Sequence, residues 1–86
     1  MSKLTLELST KYGKDTTSVD ISNCKILASK GKEITFTAMH YDKHVDCRLS
    51  CINSSKSGEV SEALLARRNI TLTSDEYAFM HITGAT

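Results

Sequence analysis

Eighty-six residues, 40% hydrophobic and 24% charged with no proline, describe one globular domain (1–86) rather than a disordered chain. The formal net charge is +1, with nine Lys/Arg to six Asp/Glu over residues 1–56 and two to four over 57–86, too weak an excess to hold a polyanion by charge alone. No run of about 18 apolar residues reads as a membrane span, and the N-terminal MSKLTLELSTK alternates instead of forming the apolar block of a secretory signal.

Leu4, Leu6 and Leu8 alternate with Thr5, Glu7 and Ser9, the pattern of a half-buried strand. Tyr12-Gly13-Lys14-Asp15 suits a type II′ turn, and Thr17–Ile21 returns with Leu8 opposite Val19 and Leu6 opposite Ile21. The apolar parity switches at Ser22-Asn23, which reads as a bulge or corner, before Cys24, Ile26 and Ala28. Ser29-Lys30-Gly31 fits a three-residue loop with Gly31 left-handed, pairing Cys24 with Phe36 and Ile26 with Ile34.

Residues 33–52, EITFTAMHYDKHVDCRLSCI, carry the clearest pattern, a two-faced hairpin. A turn on Asp42-Lys43 pairs His40 with Val45, Phe36 with Leu49 and Ile34 with Cys51. Ile34, Phe36, Ala38, His40, Val45, Cys47, Leu49 and Cys51 then share one face. Thr35, Thr37, Met39, Tyr41, His44, Asp46, Arg48 and Ser50 share the other. A one-residue slip would scramble that sorting.

Ser54–Gly58 reads as a polar linker in which Ser57 caps a helix and Glu59 favours its positive end. Val60, Ala63 and Leu64 supply an apolar stripe, Arg67 and Arg68 suit the C-terminus, and Asn69 can take the left-handed cap. Ile70–Leu72 reads as an extended connection. Thr73-Ser74-Asp75-Glu76 is a capping box, with Leu72 and Tyr77 placed as its hydrophobic staple, and predicts a second helix over about 74–82. Tyr77–Ile82 also alternates, so a terminal strand competes with that helix.

His40, His44, Cys47 and Cys51 have zinc-type side chains, but on a hairpin His44 faces away from the other three, so the spacing predicts no metal site. His40 and Cys47 come out as diagonal neighbours. Three cysteines, an odd number, suit a reducing cytosol and a cytoplasmic protein; all three read as core residues. No nucleophile, base and orienting group converge, the four glycines are isolated, and no cofactor is called for, so the chain is expected not to be an enzyme.

The expected fold is α+β: an antiparallel meander of four to five strands with one or two C-terminal helices on its apolar face. The expected function is stoichiometric binding of a protein partner, as an inhibitor, adaptor or regulatory subunit. The expected binding residues are Met39, Tyr41, His44 and Arg48, anchor-type side chains on the open hairpin face. A module that stacks RNA or single-stranded DNA on the same face is the alternative, and a small-molecule binder at a dimer interface is a third. Exposed edge strands and a thin core predict a homodimer, through an edge strand or the apolar segment Tyr77–Ile82.

Overall fold

The computed structural model of the protein describes residues 4–9 and 16–84. Among these the chain forms β1 (Thr5–Ser9), β2 (Thr16–Asp20), β3 (Ile26–Lys30), β4 (Glu33–His40), β5 (Lys43–Cys51), α1 (Ser54–Ala66), β6 (Ile70–Leu72) and β7 (Tyr77–Gly84). The fold is α+β with a mostly antiparallel sheet, as the residue pattern implies. Seven strands replace the expected four to five. Five lie in the N-terminal part, and β6 and β7 follow the helix. The connection at Ile70–Leu72 is a strand, and the helix expected over 74–82 is a strand as well.

The alternation sorted the faces correctly. Ile34, Phe36, Ala38, Val45, Cys47, Leu49 and Cys51 are buried, joined by Leu6, Leu8, Val19 and Ile21 from the first hairpin. His40, at the end of the same face, is half-buried. The β4–β5 and β1–β2 registers differ from expectation by two residues. Phe36 pairs with Cys47, Ile34 with Leu49 and His40 with Lys43, and Leu6 pairs with Val19. A two-residue slip leaves every side chain on its own face, so polarity alone does not exclude it. Tyr41 (φ 52°) and Asp42 (φ 63°) form the β4–β5 loop, and two consecutive left-handed residues give the type I′ turn whose twist matches the strands. Gly31 is left-handed as expected (φ 58°), but Lys30 pairs directly with Glu33, so that loop has two residues, not three. A bulge between Ile26 and Ala28 then sets Ile26 opposite Phe36 and turns Ala28, expected on the apolar face, outward opposite Thr35, where it is exposed. The expected Gly13 turn lies outside the described residues.

The chain does turn at Ser22-Asn23. The Ser22 amide donates to Asp20 Oδ1 (2.8 Å), and the Leu4 amide donates to Ser22 Oγ (3.2 Å). β2 and β3 therefore read as one bent strand along a single edge of β4. β3 pairs with Ile34–Phe36 and beyond, whereas β2 touches β4 only at Asp20 opposite Met39. The sheet order is β6-β1-β2-β4-β5-β7, with β3 beside β4 and β6 parallel to β1. Six strands laid flat would put β6 and β7 about 24 Å apart. Only residues 73–76 connect them, and a turn bond from the Glu76 amide to the Thr73 carbonyl (2.9 Å) shortens that link. The sheet must curl. The Tyr77 hydroxyl, donating to the Ser9 carbonyl at 3.1 Å, ties β7 back to β1 across the curl.

α1 packs inside this curl against β3, β4 and β5. It starts earlier than expected. Asn53 is the N-cap, its Oδ1 accepting from the Lys56 amide at 2.8 Å. Ser57 is instead buried in the first turns, where its hydroxyl donates to the Gly31 carbonyl (2.8 Å) and the Ser54 carbonyl (3.0 Å). Val60, Ala63 and Leu64 are buried as the stripe requires. Arg67, not Asn69, takes the left-handed cap (φ 58°), and its guanidinium donates to the Ser22 carbonyl. Asn69 Oδ1 accepts from the Thr5 amide (2.9 Å), which aligns β6 with β1. No helix among the described residues is long and apolar enough to cross a membrane.

Candidate functional site

The gap between β2 and β4 sets the site. These strands meet only at Asp20 and Met39, so Thr16, Thr17 and Ser18 stand away from the hairpin tip. A cleft of about 830 Å³ opens there, at the far end of β4 from Gly31 and α1. Its walls are the β2 hydroxyls, Asp20, Met39, His40 and the tip residues Tyr41 and Asp42. Met80 and Ile82 of β7 contribute apolar surface, both half-buried against the core. The lining combines thioether and aliphatic surface with hydroxyls and two carboxylates. That mixture can seat an apolar group and hydrogen-bond the amides around it.

Tyr41 is the most exposed large hydrophobic side chain described, at 87%. Its ring centroid lies 4.4 Å from that of His40, tilted by 48°. A bulky residue at positive φ is uncommon, because its Cβ crowds the backbone. The tip thus holds an aromatic outward on a backbone that is costly to form.

The four residues expected to bind are only partly brought together. Met39 and His44 are direct cross-strand partners on the outer face. Tyr41 lies in the loop rather than on that face, and it joins Met39 at the cleft. Arg48 is about 13 Å along β5 from His44, where its guanidinium holds both oxygens of Glu33, at 3.0 and 3.3 Å. The sequence reading missed Thr17, Asp20, His40, Met80 and Ile82. Nothing in the local pattern signals them, since they meet only where β2 diverges from β4 and β7 curls past. The Tyr-Asp pair at the tip was the one available clue.

The metal-type side chains disperse. His40 opposes Lys43, and Cys47 opposes Phe36, so the diagonal contact expected of His40 and Cys47 does not form. His44 is exposed on the other face. Burial pushes the Cys47 thiol up to about 12, with Asp46 adding to the effect, and raises Cys24 and Cys51 as well. A thiol so raised stays protonated near neutral pH and makes a poor nucleophile.

Comparison with protein-family models, with curated proteins and with solved structures finds no match to this chain.

Proposed function

We propose that the chain is a non-catalytic binding protein that engages a protein partner, as an inhibitor, adaptor or regulatory subunit, through the β4–β5 tip and the cleft beside it. The observation that carries this reading is Tyr41, largely exposed on a left-handed backbone and lining an open cleft together with Met39, Met80 and Ile82. Tyr is enriched among residues that dominate interface energy, because it adds large contact area at little rotamer cost. A short rigid hairpin also loses little freedom on binding. Met39 and His44 flank the tip and extend the surface.

The nucleic-acid reading relies on Arg48 as the cation of the outer face, and the Glu33 carboxylate already neutralises it. The protein reading is therefore preferred. The test is capture from source lysate, after nuclease treatment, on immobilised wild type and on Tyr41→Ala. A partner retained by the wild type should bind the variant at least about 30-fold more weakly, the equivalent of a 2 kcal/mol hot spot. Equal capture by both, or capture abolished by nuclease, would sink the proposal.

A further inference from the structure

Among the described residues three strands keep an edge that no other strand pairs: β3, β6 and β7. Unpaired edges present a row of amide and carbonyl groups to any passing strand, and folded proteins blunt them with charge, bulges or shortness. β3 has Lys30 and a bulge between Ile26 and Ala28. β6 is three residues long. β7 has eight residues, Tyr-Ala-Phe-Met-His-Ile-Thr-Gly, with no Asp, Glu, Lys, Arg or Pro. Its one irregularity falls at the entry, between Ser50 and Cys51 of β5. Phe79 to Gly84 then run in unbroken register with Ser50 to Val45. Six regular residues thus carry an outer edge that no other described strand pairs.

We propose that β7 pairs antiparallel with β7 of a second copy of this chain, about a two-fold axis, so that the two curled sheets become continuous. Identical strands suit each other here because no ionised group of fixed charge is brought opposite its own copy. The pairing is constrained by the faces. Phe79, His81 and Thr83 lie opposite the outward Ser50, Arg48 and Asp46, whereas Met80 and Ile82 lie opposite the buried Leu49 and Cys47. The outer face of one copy meets the outer face of the other only if the axis passes through a residue. An axis at Met80 sets Met80 against Met80 and Phe79 against His81 twice, the aromatic cross-strand pairing that sheets favour. An axis at His81 would instead stack two imidazoles. One ladder of this length is a smaller contact than the roughly 800 Å² per partner of a standard interface, so the dimer should depend on concentration.

Sedimentation or light scattering from about 1 to 200 µM tests this. The wild type should rise to twice its 9.5 kDa chain mass within that range. Phe79→Lys and Thr83→Lys place charge at exposed edge positions. Both variants should stay monomeric with unchanged circular dichroism. Under oxidation Met80→Cys should form a covalent dimer, since directly opposed strand residues lie within disulfide reach, and Ala78→Cys should not. Tyr41 lies outside this ladder, so Tyr41→Ala should leave the dimer mass intact, which separates this proposal from that of the partner surface. A wild type that stays monomeric throughout would overturn the proposal. So would a dimer indifferent to both lysines, or cross-linking at position 78 rather than 80.

Discussion

Tyr41 concentrates the tension between stability and use at the level of single residues. Type I′ turns favour Asn-Gly because both central residues need positive φ. Tyr-Asp occupies those places here, at φ 52° and 63°. A left-handed non-glycine residue costs on the order of 1–2 kcal/mol, although Asp tolerates it better than Tyr. Replacing the pair, Tyr41→Asn with Asp42→Gly, should raise stability by about 1–2 kcal/mol, read as a melting point several degrees higher. The same change should lose the captured partner. A drop in melting temperature would show that the Tyr41 ring stabilises the tip more than its backbone strains it. The sequence placed Tyr41 among the binding residues but on a strand face. Sliding the turn by one residue moved it into the loop without disturbing the polarity pattern on either side.

At the scale of elements, residues 73–84 show a local signal obeyed and then overridden. The Thr73 amide and hydroxyl both donate to Glu76 Oε1, at 2.9 and 3.1 Å, and the Glu76 amide returns to the Thr73 carbonyl. These are the contacts a capping box seeks, yet they close a turn and no helix follows. The β5 edge offers Tyr77–Gly84 a ladder along most of its length, and tertiary pairing outweighs a local start signal. The turn is pinned to α1 by Lys56, whose ammonium lies 2.8 Å from Glu76 and 3.2 Å from Glu59. Lys56 and the Thr73 donors hold the Glu76 carboxyl down to about 2. A carboxylate lowered in the folded state adds stability that is present above its unfolded value near 4.5 and is lost as pH falls through about 2. The side chain is about a third exposed, so solvent screens part of the effect. Glu76→Gln should flatten the acid dependence of the urea midpoint between pH 5 and 2. An unchanged profile would show that the bridge contributes nothing to folding.

For the whole molecule, the curl of the sheet makes the core and leaves the cleft. Leu6 and Leu8 from one side meet Phe36, Cys47 and Leu49 from the other, and Val60 and Leu64 of α1 lie among them. Phe36 is fully buried, so Phe36→Ala should cost about 3–5 kcal/mol in urea unfolding. Ser50→Ala, on the outer face, should stay within about 0.5 kcal/mol. Thr37→Ala should fall between them, because Thr37 Oγ1 accepts from the Lys25 amide at 2.9 Å and helps hold β3 on β4. Similar losses at Phe36 and Ser50 would contradict the two-faced sheet.

By itself the sequence determined what period-2 and period-3.6 patterns carry. These are the α+β class, the inward and outward side chains of β1, β2, β4 and β5, the corner at Ser22-Asn23, the left-handed Gly31 and the buried stripe of α1. It also marked Tyr77–Ile82 as an apolar segment in need of cover. Only the tertiary structure decided the absolute registers, since sliding a strand by two residues preserves every face. It alone decided that β6 lies beside β1 and β7 beside β5, because those edges lie far away in sequence and nothing local encodes their pairing. The cleft belongs to this second class. It exists because β2 leaves β4 after a single bridge while β7 passes behind, and no short stretch of sequence holds both of those facts.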